Sequence, residues 1–285
     1  MLFRSDAREK VQSASWRVTE WDGVSWTNLS DSPFSAWRYS AVAYDIIRER
    51  MVLFGGGMNL FEPPIECDFN LAFDDLYEVD VNGAWYAMTP ANKPSARMGH
   101  AMAYDPVHNK TVLFGGVDGY FTTELECQFQ GVAFRDTWEW DGTNWTQRTG
   151  NTCTGDDCYV CEAATCPPAI DLMPPNPDLG TIMARHGMVY NGSSGKIMLV
   201  SGDQTWEWND SAWIKLNTST LQNNGFPTMA YDSLSGKVVF YSKSLRWTAA
   251  FARTWEWDGV DWIQMTPAVS PPDGTDSRYY GVPSL

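Results

Sequence analysis

Four cysteines crowd one stretch of the chain, Cys153-x4-Cys158-x2-Cys161-x4-Cys166, and two more, Cys67 and Cys127, stand in matching contexts, Glu-Cys-Asp-Phe and Glu-Cys-Gln-Phe. Thiols in this pattern support two chemistries. An even count in loop-like sequence suits disulfides made in an oxidising compartment. Closely spaced thiolates can instead hold zinc or an iron–sulfur cluster. A zinc ribbon needs two separated Cys-x2-Cys pairs, and Cys158–Cys161 alone has that form. Disulfides are therefore the favoured reading, with a metal centre and idle thiols behind it. The surrounding segment 149–183 also carries Pro167, Pro168, Pro174, Pro175 and Pro177. Each proline removes a backbone donor, so the segment reads as an irregular insertion that cross-links would staple.

The remaining chemistry-bearing groups form weaker patterns. There are three histidines, of which His100 and His186 precede similar apolar runs and His108 lies in a turn, so a structural role is expected for them. Asp74-Asp75 and Asp156-Asp157 have the residue types of a glycosidase acid–base pair. Adjacent loop carboxylates read more simply as solvated surface or a calcium ligand set. No Ser-His-Asp order, His-Glu-x-x-His or phosphate-binding loop occurs. No catalytic residue, metal or cofactor is assigned.

Composition bounds the rest. The chain has 285 residues, a net charge of -15, 44% hydrophobic and 19% charged residues, which excludes a disordered acidic tail. Twenty Lys and Arg without a basic run argue against nucleic acid and anionic membrane surfaces. No stretch approaches the ~20 apolar residues of a membrane span. The start, MLFRSDAREK, has no apolar signal core. Residues 1–15 are expected to be a disordered or artefactual leader, with Met1–Ser5 as sequencing-adapter read-through on a truncated bacterial metagenomic fragment.

One unit recurs and must position all of these groups. An apolar run ending in Tyr (RYSAVAYD, RMGHAMAYD, RHGMVYN, PTMAYD) is followed by a polar turn and a second apolar run (MVLFGG, TVLFGG, IMLVSG, VVFYSK). After a variable loop come DLYEVD, DTWEWD, QTWEWN or RTWEWD, then a tight turn and a Trp-bearing run. Short β-branched and aromatic runs between turn formers are strand signals, and no helical period competes. In Thr-Trp-Glu-Trp the two Trp share one strand face and Glu139 or Glu256 takes the other. Most of the Trp residues are expected to pack between repeats.

This pattern resembles the kelch repeat of bacterial kelch proteins and of the galactose oxidase propeller domain. The matching residues are Phe54-Gly55-Gly56 and Phe114-Gly115-Gly116, with Trp85, Trp145, Trp213 and Trp262. Two repeats carry Val200-Ser201-Gly202 and Phe240-Tyr241-Ser242 instead, where a different local turn is expected. Ser201 to Trp206 superficially resembles a sialidase Asp-box but lacks its glycine spacing. The resemblance is to the propeller only; no copper site is carried over. It implies an all-β, kelch-type β-propeller of four-stranded antiparallel blades within a single domain, 16–285. Full blades are expected at 37–89, 96–148, 184–217 and 225–266, with partial ones at 16–29 and 277–285. The ring would be five-bladed or a piece of a six- or seven-bladed one.

In such a blade the loops between strands one and two and between three and four share one face, and there they are short. The opposite face receives the long segments 57–74, 117–135 and 149–184. Long irregular loops on a rigid scaffold favour binding. All six cysteines fall on this face, and the neighbouring loops make a Cys67–Cys127 bridge plausible. Phe61, Tyr120, Phe121 and Phe129 are contact candidates. Arg38, Arg97, Arg185 and Arg278, near the starts of first strands, can ring the channel mouth for an anion or acidic partner. The competing role is ion pairing between blades with residues such as Glu139. The primary expectation is a monomeric, non-catalytic module outside the cytoplasm (extracellular, periplasmic or cell-surface) that binds protein or glycan. Alternatives are a carbohydrate-active or oxidase-like enzyme whose catalytic part lies elsewhere, and a structural bead of a multidomain surface protein.

Overall fold

The computed structural model describes residues 2–3, 15–21, 26–35, 39–60, 69–120, 132–150, 152–154, 186–219, 221, 226–243 and 252–266. Among them no helix is long and apolar enough to cross a membrane. Strands β1 (Leu2–Phe3), β2 (Ser15–Trp21) and β3 (Trp26–Ser35) form a three-stranded antiparallel sheet. Leu2 and Phe3, inside the stretch 1–15 expected to be leader, thus pair with Thr19 and Val18.

Four antiparallel four-stranded sheets follow, and each is one blade. The first blade holds β4 (Ala41–Asp45), β5 (Arg50–Phe54), β8 (Leu76–Asp80) and β9 (Trp85–Met88). Between its second and third strands run β6 (Gly57–Leu60) and β7 (Phe69–Ala72). The second blade holds β10 (Ala101–Asp105), β11 (Lys110–Phe114), β14 (Thr137–Trp140) and β15 (Trp145–Thr149), with β12 (Gly119–Tyr120) and β13 (Val132–Phe134) in its loop. A short β16 (Thr152–Thr154) follows. The third blade is β17 (His186–Asn191), β18 (Lys196–Ser201), β19 (Gln204–Trp208) and β20 (Trp213–Lys215). The fourth is β21 (Phe226–Asp232), β22 (Lys237–Lys243), β23 (Ala252–Trp257) and β24 (Trp262–Met265). The first strands β4, β10, β17 and β21 neighbour one another in succession, which is a propeller arrangement. Residues 277–285, expected to complete a partial blade, lie outside the described residues.

The turns explain why these sequences form hairpins. Asp45, Asp105, Asn191 and Asp232 each end a first strand, and their Oδ1 atoms accept from backbone N–H groups two residues on. Four residues after each, the chain takes a left-handed conformation at Glu49, Asn109, Gly195 and Gly236, with φ of 52, 55, 70 and 70°. This local bonding offers the backbone a turn in place of a continued strand. Asp80, Asp141, Asn209 and Asp258 repeat the device between third and fourth strands. The N–H groups they hold, led by those of Ala84 and Asp261, keep the Asp80 and Asp258 carboxyls below their ordinary pKa.

The core lies in the seams between blades. Ala43, Val52, Phe54 and Leu76 of the first blade pack on Met102, Leu113, Trp140 and Trp145 of the second. The next two seams repeat this around Trp206, Trp208 and Trp213, and around Trp255, Trp257 and Trp262. Both Trp of each Trp-Glu-Trp face the preceding blade, as the alternation predicts. Removing one buried ring, for example Trp145→Ala, is expected to cost about 3–5 kcal/mol. Two seams also share a polar tie. The Trp213 and Trp262 Nε1–H groups donate to the Thr137 and Thr205 hydroxyls of the preceding blade at 2.9 and 2.8 Å. In the first seam the residue equivalent to Thr137 is Leu76, and the buried Trp145 Nε1–H has no partner among the described residues.

Candidate functional site

On the loop-rich face the double glycines set where the loops leave the blades. Gly55 and Gly56 take φ of 60 and 99°, and Gly115 and Gly116 take 74 and 97°. A Cβ on Gly55 would stand 2.4 Å from the Arg97 carbonyl oxygen, so only glycine admits the next blade this closely. The blades without the pair do turn differently. In the third blade Ser201 pairs with Gln204 across a two-residue Gly202-Asp203 turn, and in the fourth the strands run on until Lys243 pairs with Ala252.

The loops beyond the glycines carry structure of their own. Strands β6 and β7 form a hairpin, and β12 from the second blade pairs with β7 through Gly119–Leu71 and Tyr120–Asn70, giving a sheet that joins the loops of two blades. Val117 bridges Met98 on one side and Ala133 on the other. Strand β13 pairs with β16 through Ala133–Cys153, bringing the start of the cysteine-rich insertion to the same face. Strands β7 and β12, next in sequence to the segments that hold Cys67 and Cys127, are thus paired with each other. The cysteines Cys67, Cys127, Cys158, Cys161 and Cys166, and with them Phe61, Phe121, Phe129, Arg38 and Arg185, lie outside the described residues. For Tyr120 and Cys153 the structure gives the backbone placement.

Arg97 is not displayed at a channel mouth. It is 0% exposed. Its Nη1 and Nη2 donate to Asp136 Oδ1 and Oδ2 at 2.6 and 2.9 Å, Nη1 donates also to the Gly115 carbonyl at 2.9 Å, and Nε donates to the Ser95 carbonyl at 3.0 Å. The guanidinium lies 4.1 Å from the Phe134 ring centroid. Its carboxylate partner, Asp136, belongs to the same blade, so this arginine makes no ion pair between blades among the described residues. Glu139 instead takes Lys110 at 2.8 Å and Arg148 at 3.5 Å. Asp136 also accepts from Trp138 Nε1 at 2.7 Å. Nothing in the amino-acid pattern marks Asp136 as a partner, since a variable loop separates it from Arg97. Beside this clamp His100 is buried edge-on against Phe54. Burial, reinforced by the Arg97 charge, lowers its pKa from 6.5 to about 3, so it is a neutral packing residue. His186 repeats the contact on Phe114 in the next seam.

A second constellation sits on the short-turn face. His108 Nδ1 is 2.7 Å from Asp105 Oδ2 in its own blade and 3.5 Å from Asp210 Oδ1 in the third. The hydrogen bond to Asp105 raises the imidazole pKa above 6.5. Asp210 takes φ of 68° where the equivalent turns have Gly142 at 94° and Gly259 at 102°. The matching place in the first seam holds Arg48, which pairs with Asp45 and Glu78 at 2.6 Å each. Read from sequence, His108 is a turn residue and Asp210 does not stand out. A signal exists all the same, because both break the repeat at positions that meet in one seam.

No protein-family model and no curated protein matches the sequence. Among solved structures, the SapL1 lectin in complex with alpha methyl fucoside is similar with a TM-score of 0.43 and 14% identity, over 90% of this chain and 74% of that one. YjhT gives 0.42 and 9% over 88% and 91%. An exo-beta-1,3-galactanase from Bifidobacterium bifidum s17 gives 0.39 and 10% over 82% and 72%. Likenesses at this level assign neither family nor function.

Proposed function

We propose that this chain is a kelch-type, non-catalytic binding module that engages a protein or glycan outside the cytoplasm through its loop-rich face. The observation that carries this reading is the sheet built from the loops of the first two blades, where Gly119 and Tyr120 pair with Leu71 and Asn70. Loops tied together by backbone bonds hold a surface in one shape and reduce the ordering cost of binding. Tyr120 in that sheet, with Phe61, Phe121 and Phe129 in the adjoining segments, supplies aromatic groups suited to stacking on sugar rings or anchoring a protein contact. Disulfides among the six cysteines would add to that rigidity. The module acts as a monomer and needs no cofactor in this reading.

The test is to probe panels of immobilised glycans and of extracellular proteins with the purified chain. A Tyr120→Ser, Phe121→Ser double variant is then run at equal folded fraction. The expected result is specific capture that the double variant loses while its melting temperature stays within a few degrees. Capture unaffected by the loop changes, or turnover of a bound glycoside without added protein, would overturn the reading.

A further inference from the structure

We propose that Asp105, His108 and Asp210 form a divalent-cation site that bridges the seam between the second and third blades on the short-turn face. It lies on the face opposite to the loops and does not depend on the binding role proposed for them. One nitrogen and two carboxylate oxygens, all within 4.8 Å of one another, converge there from two blades. A neutral imidazole with two carboxylates is the donor set of borderline and hard first-row ions, zinc and manganese among them. Three protein ligands leave coordination positions for water.

The ligands are prepared unequally. Asp105 is 4% exposed, and its Oδ1 is held by the N–H groups of Val107 and His108, which fixes Oδ2 toward the cluster. Asp210 and His108 have side chains 49% and 46% exposed, so an ion can enter from solvent. The neighbouring cations are committed elsewhere: Lys110 pairs with Glu139, and Arg148 lies 3.5 Å from Glu139 while its Nη2 donates to the Asp210 carbonyl. The two ligand carboxylates are therefore not neutralised by a lysine or arginine ion pair among the described residues.

The repeat supplies independent support. The first seam has the same Asp at 45, but Arg48 stands in place of His108 and Gly142 in place of Asp210. Arg48 fills its seam so fully that a Cβ on Gly142 would lie 2.9 Å from the guanidinium carbon. The third seam has Ser194 and Gly259 at these places, and a Cβ on Gly259 would meet nothing within 4 Å. Both departures that create a ligand set occur together, in one seam.

The test uses the full chain after chelator treatment, with calorimetric titration of Mn²⁺ and Zn²⁺ and with Mn²⁺ paramagnetic resonance. Wild type is expected to bind one Mn²⁺ in a resolved isotherm, and Asp210→Gly and His108→Arg are each expected to weaken it at least about tenfold. Asp210→Gly restores the residue the sister turns already have, so it keeps the fold. Thermal unfolding without metal confirms that. Mn²⁺ avoids confusion with the clustered thiols, which favour zinc. No Mn²⁺ isotherm in wild type overturns the proposal, as does binding of equal strength in both variants, which would place the ion elsewhere.

Discussion

The two faces of this propeller treat charge in opposite ways. On the loop-rich face Arg97 and Asp136 are enclosed, with side chains 0% and 5% exposed, and their donors and acceptors are spent within one blade. On the short-turn face His108 and Asp210 stand half in water across a seam, and their contact at 3.5 Å is loose. Charges that are sealed in can do little but hold the structure, because no ligand reaches them. Charges left partly solvated are free to exchange a neighbour for an ion. The contrast separates where large stability effects should fall from where binding effects should.

The enclosed side should break first. Asp136→Asn keeps the shape but strands the buried Arg97 cation, and a loss of about 3–5 kcal/mol is expected in urea unfolding. The matched control is Glu207→Gln, whose partner Lys196 has a side chain 45% exposed, with an expected loss of about 1 kcal/mol or less. Equal losses from the two would erase the distinction between the faces.

The second effect is one of pH. His100 has its folded pKa depressed from 6.5 to about 3, so the unfolded chain binds a proton that the folded chain refuses. This contribution to stability is complete above 6.5 and falls as pH drops from there toward 3, with a slope approaching about 1.4 kcal/mol per pH unit. Unfolding free energies of wild type and His100→Leu, measured from pH 8 to pH 4.5, should diverge in slope below 6.5. Parallel curves would mean that the ring takes up a proton without unfolding.

A third test sharpens the contrast among the seams. Thr137→Val is nearly isosteric and removes the acceptor of the buried Trp213 Nε1–H, turning that seam into a copy of the first, where Trp145 Nε1 is unpartnered among the described residues. The expected cost is about 1–3 kcal/mol by chemical denaturation. A neutral result would show that the first seam lacks nothing by having Leu76 there.

These cases also show which features are legible in the amino-acid sequence. The strands and their turns follow from short-range patterns: Asp or Asn ending a run, a left-handed position four residues on, and alternation that sends Trp206 and Trp208 to one side. Such features depend on neighbours in sequence. The pairing of Arg97 with Asp136 spans 39 residues across a loop of variable length, so periodicity places the arginine but not its partner. The joining of β7 to β12 is legible only as a neighbouring of loops, because its register is set by irregular segments. Asp210 escapes notice since attention to a repeat rewards what recurs, and its interest lies in not recurring.

The smallest expected effect tests whether that exception is a matched pair. In the first seam Gly142→Asp drives a side chain into Arg48 and is expected to destabilise the protein, since the guanidinium lies 2.9 Å from the new Cβ and is fixed by Asp45 and Glu78. Arg48→His alone gives up those pairings, though Glu78 keeps the Trp140 indole at 3.0 Å. If the second seam holds its His and Asp as a unit, the two changes together should cost less than their sum, with a coupling of about 0.5–3 kcal/mol in a double-mutant cycle. The double variant should also take up a second Mn²⁺ in the titration that detects the first. Additive costs would show that the space at 142 is governed by the backbone rather than by the residue across the seam, and the pairing of His108 with Asp210 would then owe nothing to their sizes.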